Sequence, residues 1–192
     1  MTKNIGLLVF ILLAFATSFS QYATSQDIVK KGSFQNIHKD RLNQDRCLNL
    51  FRPMSGERKE FCYWTKKGGF EKDGYLVAAH MLRDVHSKKV GYIDPQLLDI
   101  LFLIQTWLKN EGRSHDIHIM SGYRTPAYNA TLKGSAENSM HIHGRAADIH
   151  IPGLKTKVLA LMSRYVGAGG VGIYVRNNFI HVDTGNIRGW NG

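Results

Sequence analysis

The chain has 192 residues, 43% of them apolar and 21% charged, and carries a formal net charge of +10. That is enough chain, at an ordinary apolar content, for one domain with its own core. The charge suits an anionic partner such as a cell-wall polymer or a membrane surface, or is simply a solvated basic face; with no RNA- or DNA-binding motif and the basic residues scattered, nucleic acid is set aside.

The N-terminus reads as a secretory signal. Lys3 is a short positive start, Ile5 to Phe15 is an apolar run broken only by Gly6, and small and polar residues follow from Ala16 to Ser20. Cleavage is expected between Ser18 and Gln26, so residues 1–25 are assigned to the signal peptide. A retained anchor is the alternative, but the run falls short of the roughly 20 apolar residues that span a bilayer, and no stable span is expected after cleavage. No Cys lies just after the run and no twin-arginine pair precedes it. Residues 26–45 are polar and aperiodic and read as a linker. Residues 46–192 read as the functional domain.

That domain opens on a hairpin. Cys47 to Phe51 runs into the turn Pro53-Met54-Ser55-Gly56, and Phe61 to Thr65 returns, rich in aromatics. An exported protein with two cysteines in one hairpin is expected to bridge them, Cys47 to Cys62, although two buried thiols fit the sequence as well. A helix is expected from Tyr75 to His86 with Leu76, Ala79, Leu82 and Val85 inward. Another starts at Asp94, a good N-cap followed by Pro95, and runs through Leu97, Leu101, Ile104 and Leu108 to Gly112. Strands are expected at 117–120 and 146–151, a helix from Lys155 to Tyr165, and a hairpin of 171–175 and 179–183 around Arg176-Asn177-Asn178. Strands and helices do not alternate regularly, so the fold expected is α+β with a mainly antiparallel sheet flanked by helices. Gly167, Gly169 and Gly172 spell a dinucleotide fingerprint, but after a helix and before a strand, the reverse of what nucleotide binding needs.

Chemistry concentrates in Ser139-Met140-His141-Ile142-His143-Gly144-Arg145-Ala146-Ala147-Asp148-Ile149-His150 and in Phe179-Ile180-His181-Val182-Asp183-Thr184-Gly185. Alternate residues of a strand face opposite sides. Asp148 and His150 therefore share one face, and His181 and Asp183 share one face, while Ala147, Ile149, Ile180 and Val182 point the other way. Gly144 lets the chain turn so that His141 reaches back beside Asp148. Two imidazoles and one carboxylate would leave a fourth position open, as catalytic zinc requires. Spacing alone fits this metal site or a set of satisfied polar residues at a sheet end.

The pattern Ser139-x-His141-x-x-Gly144-x-Ala146-x-Asp148 with a later His181 resembles the zinc motif of the D-Ala-D-Ala metallopeptidases, a family that includes peptidoglycan hydrolases and hedgehog-like zinc domains. Ser121-Gly122-Tyr123-Arg124 is similar to that family's other signature. Tyr63-Trp64, Ile93-Asp94-Pro95, Ser121 to Pro126, Gly169-Gly170-Val171-Gly172 and Phe179 to Gly185 narrow the resemblance, which runs from about Cys47 to the C-terminus, to murein endopeptidases that hydrolyse peptide cross-links. The resemblance implies Zn2+ held by His141, Asp148 and His181, and peptidoglycan as the substrate; the expected signal peptide implies a periplasmic or secreted location. It also implies that Arg124 binds substrate and stabilises the developing oxyanion, with a structural salt bridge as the alternative. Ser139 is expected to bind substrate or to hold the loop, and Tyr123 to pack.

Many relatives in the broader family carry Glu or Asp three residues before the last histidine ligand, where this chain has Asn178. Asp183 is the expected substitute as general base, with His150 next. A register alternative makes Asp183 the third ligand in place of His181. His143 is expected to be exposed. A carboxypeptidase on stem peptides and a zinc-stabilised, non-catalytic wall-binding module are the rival functions.

Overall fold

The computed structural model describes residues 41–192; the expected signal peptide and all but the last residues of the expected linker lie outside them. An eight-stranded sheet is built from β1 (Arg46–Arg52), β2 (Glu57–Thr65), β3 (Gly69–Phe70), β4 (Ile117–Ser121), β5 (Ala146–His150), β6 (Gly170–Tyr174), β7 (Phe179–Asp183) and β8 (Arg188–Asn191). Its order is β3-β2-β1-β4-β5-β7-β6-β8. The pairings are antiparallel except β1–β4 and β6–β8, which are parallel. The helices are α1 (Lys72–Met81), α2 (Pro95–Asn110), α3 (Pro126–Thr131) and α4 (Thr156–Tyr165), with a 3-10 turn over Met140–His143. The fold is α+β with a mostly antiparallel sheet, as the irregular alternation of elements implied.

The apolar halves of the strand patterns make the core. Leu48, Leu50, Ile117, Ile119, Ala147, Ile149, Ile180 and Val182 are fully buried together with Leu97, Leu98, Ile100, Leu101, Leu103 and Ile104 of α2. α2 begins where expected, because the Asp94 carboxylate accepts from the Gln96 N–H and Pro95 occupies the first turn. α1 differs from expectation: it starts at Lys72 and ends by Leu82, and Leu76 faces solvent. Its early end has a polar cause. The buried Asp84 accepts from the backbone of Ser87 and Thr125, which draws the chain into a short bridge between Asp84 and Lys89.

The β1–β2 hairpin closes over the expected turn, where Gly56 sits at φ +70° and both Ser55 and Gly56 donate to the Arg52 carbonyl. Cys47 and Cys62 face each other in register and are disulfide-bonded. Four elements were not anticipated: β3, α3, the 3-10 turn and β8. The last two shape the site. No helix among the described residues is long and apolar enough to cross a membrane.

Candidate metal centre

β5 and β7 are adjacent antiparallel strands, and Asp148 is paired directly with His181. With their apolar neighbours turned into the core, both functional side chains emerge on the opposite face of the sheet. His141 is delivered by the 3-10 turn, which Ser139 caps by accepting from the His141 N–H. The turn ends on Gly144 at φ +63°, where a Cβ would strike the Tyr92 carbonyl. The Gly144 carbonyl also takes the Asp94 N–H, so the start of α2 and the ligand turn are tied together.

Three atoms converge. His141 Nε2 lies 3.1 Å from His181 Nδ1 and 3.2 Å from Asp148 Oδ1, and His181 Nδ1 lies 3.1 Å from Asp148 Oδ1. All three residues are buried, and among the described residues theirs is the group of His, Cys, Asp or Glu side chains arranged to hold an ion.

The back of each ring fixes its tautomer. His141 Nδ1–H donates to the Gly122 carbonyl at 2.7 Å, and His181 Nε2–H donates to Asp183 Oδ2 at 2.9 Å. Each imidazole then turns a bare lone pair toward the other and toward a carboxylate oxygen. Three acceptors at this separation repel one another unless a cation lies among them. A tetrahedral ion with ligands at about 2.0–2.1 Å places its donor atoms about 3.3 Å apart, close to the observed triangle, so the residues present fit such an ion.

The carboxylates are held ionised. Burial opposes the charge on Asp148, but when the rings are protonated in place of an ion, His141 and His181 outweigh it and set its pKa far below the ordinary carboxylate range. Burial likewise disfavours a charged His181, yet Asp148 and Asp183 together raise its pKa. Arg124 grips the other Asp148 oxygen, Nη2 to Oδ2 at 2.6 Å, while its Nε donates to Ser121 Oγ. The salt bridge anticipated as an alternative for Arg124 is therefore present. Its Nη1 remains uncommitted among the described residues, and the side chain lines the cleft.

Asp183 does not open onto the triangle. Its carboxylate is fully buried behind the His181 ring. Oδ1 accepts from the Gly170, Gly185 and Arg188 N–H groups, and Oδ2 from His181 and Arg188. Burial pushes its pKa up, but these hydrogen bonds outweigh that and hold it well below the usual value. The strand-face argument was right that Asp183 and His181 share a side; the ring orientation puts Asp183 at its back and His181 Nδ1 at the centre. His150, the other candidate base, packs edge-on against His118 of β4 and is not among the cleft-lining residues. Asn178 sits in the β6–β7 turn at φ +55°, a conformation that asparagine tolerates better than most residues. His143 is exposed and bonds Asn138.

Sequence reasoning missed β8. Trp190 lies tilted over the His181 ring with centroids 5.2 Å apart, and its indole N–H donates to the Tyr174 hydroxyl. Of the glycines resembling a nucleotide loop, Gly172 serves this packing, since a Cβ there would strike the Trp190 ring, and Gly169 lies against the Gly185 carbonyl; a Cβ on the neighbouring Gly170 would strike the Asp183 carboxylate. The triangle opens into a cleft of about 780 Å³ between the loop from Leu132 to Ser139 and an aromatic wall of Tyr174, Phe179 and Trp190.

An α+β sheet that offers two imidazoles and a carboxylate at the floor of an open cleft, with an arginine beside them, defines a metallopeptidase of the D-Ala-D-Ala type. Within that class the chain belongs to the peptidoglycan L,D-endopeptidase MepK family, whose model matches residues 41–190. It is 38% identical over 149 residues to peptidoglycan L,D-endopeptidase MepK of Escherichia coli (strain K12), covering 76% of this chain and 80% of that protein. It is 34% identical over 159 residues to the probable peptidoglycan L,D-endopeptidase MepK of Haemophilus influenzae, covering 80% and 81% respectively.

Proposed function

We propose that this protein is a zinc endopeptidase that hydrolyses peptide cross-links of peptidoglycan, at the L,D bonds for which its relatives are named. The observation that carries this is the triangle of three inward lone pairs, His141 Nε2, Asp148 Oδ1 and His181 Nδ1, at the floor of the cleft. Two imidazoles and one carboxylate are a donor set suited to catalytic zinc. When bound there, zinc supplies Lewis acidity to a scissile carbonyl and lets water attack near neutral pH.

The chain's own residues do the positioning. Gly122 and Asp183 hold the two imidazoles in the ligand tautomer. Arg124 Nη2 occupies Asp148 Oδ2, which leaves Oδ1 to the centre, and its free Nη1 would hold a substrate carbonyl oxygen as charge develops on it. Asp183 is thereby a positioning residue for His181. Ser139 holds the 3-10 turn through its cap. The aromatic wall excludes water from one side of the cleft. A peptidoglycan substrate would put the protein outside the cytoplasmic membrane, a reading that the expected signal peptide and the Cys47–Cys62 disulfide support.

The test is digestion of purified peptidoglycan by zinc-loaded protein, followed by separation of the soluble products. Cross-linked peptides should decline, with new internal amines appearing, and chelation should stop the reaction until zinc is restored. Release of single terminal amino acids would show a carboxypeptidase instead. Stoichiometric zinc with no product would show a wall-binding module.

A further inference from the structure

Charge is unevenly committed around the cleft. Its lining holds three side-chain cations, Arg124, Lys133 and Arg188, against one carboxylate, that of Asp148. Arg124 is paired with Asp148, with Nη1 alone left over, and Arg188 is paired with Asp183. Lys133 is exposed and has neither ion pair nor hydrogen bond among the described residues. Glu137, the acidic residue of the same loop, does not pair with it and does not line the cleft.

The backbone under Lys133 is firmly built. Asn129 at the end of α3 is only 3% exposed and donates from Nδ2 to the Ala136 carbonyl, while Ser135 Oγ donates to the Asn129 carbonyl. Ser135 N–H closes on the Leu132 carbonyl, and Gly134 turns the chain at φ +79°. This turn sets Lys133 in the loop that lines the cleft together with the aromatic wall. The same bonds use Asn129 structurally, although Asn129-Ala130-Thr131 matches a glycosylation sequon.

We propose that Lys133 forms a carboxylate subsite, which selects peptides bearing a free carboxylate beside the scissile bond. The proposal rests on the endopeptidase reading above and adds the group the substrate must carry. An ammonium held at the rim of a cleft gains from a charge-assisted bond to a carboxylate and gains much less from the corresponding neutral amide. Because the carboxylate it holds takes no part in the bond change, the contact acts through binding.

The experiment compares one purified cross-linked muropeptide with the same compound after its free carboxylates are converted to amides. Each is hydrolysed by zinc-loaded wild type, Lys133→Met and Lys133→Arg, with kcat and KM measured separately. Wild type should favour the free acid by about fivefold in kcat/KM, the scale of a partly exposed ion pair. Lys133→Met should erase that preference through KM, and Lys133→Arg should keep it. A preference that survives in Lys133→Met overturns the subsite, as does an equal fall on both substrates, which would mark a structural role. A wild type that cleaves neither compound overturns the endopeptidase reading, and the subsite with it.

Discussion

Asp183→Asn separates the two roles open to this carboxylate. The substitution keeps shape and removes charge in a pocket that is fully buried. Every group facing the carboxylate is a donor: two backbone N–H groups and Arg188 at Oδ1, the His181 ring and Arg188 at Oδ2. An amide nitrogen at the Oδ1 position would oppose two backbone donors that cannot move. At the Oδ2 position it opposes His181 and Arg188, and Arg188 is 43% exposed and free to turn to water. The conflict therefore falls on His181. Either the ring loses its partner, at about 1–3 kcal/mol, or its proton moves to Nδ1, the atom that faces Asp148. Both outcomes weaken the site, so zinc affinity should fall by about 10–100-fold, or about 1.4–2.8 kcal/mol. Competition against a chromogenic chelator measures this directly. Raising zinc to saturation should then restore most of the turnover. Unchanged zinc affinity with turnover down about 10²–10⁴-fold at full occupancy would refute the reasoning and return Asp183 to the role of base.

Arg124→Lys should leave the chain folded but lower kcat/KM by about 10²-fold, since a point charge cannot hold Ser121, Asp148 and a substrate oxygen together; unaltered kinetics with zinc bound would remove Arg124 from the reaction. Reducing the Cys47–Cys62 bond, or replacing both residues with Ser, should lower stability by about 3 kcal/mol, the loop-closure value for a separation of 15 residues, as read by urea unfolding with and without reductant. Asp84 gives a pH prediction. Burial opposes its ionisation, but hydrogen bonds from Thr125 and Ser87 prevail and depress its pKa. Its contribution is complete above the unfolded value of about 4 and disappears as pH falls through the depressed folded value. Asp84→Asn should accordingly flatten the acid limb of the stability–pH curve, and an unchanged limb would show that Asp84 contributes nothing to it.

Strand alternation made the floor of the site legible. Ala147, Ile149, Ile180 and Val182 could point only inward, which left Asp148 and His181 on one surface, and the turn at Gly144 made His141 their neighbour. What alternation cannot give is the rotation of a ring about its own bonds. His181 has two nitrogens, and which one faces Asp148 depends on a partner for the other; that partner is Asp183, held by Gly170, Gly185 and Arg188. His150 met the same face rule as Asp148, but it lies about 7 Å further along the strand, where it meets His118. β8 was silent for a different reason. Arg188-Gly189-Trp190-Asn191 has no apolar alternation to mark it, and it becomes a strand through parallel pairing with β6. α3 was hidden by its length of 6 residues, although Thr125-Pro126 is a cap followed by a first-turn proline.

The direct pairing of Asp148 with His181 across β5 and β7 makes the centre a check on how the sheet was assembled. A slip of one residue in either strand would send that strand's ligand into the core and bring an alanine, isoleucine or valine to the surface in its place. Either one-residue slip takes one of the two strand-borne donors out of reach of His141. An ion present during refolding would thus be captured only by chains whose central strands had zipped in the native alignment, and its binding energy would draw the population toward that alignment. Refolding with and without zinc, scored by the yield of chains that resist proteolysis, would expose this coupling between the chemistry of the site and the choice of register.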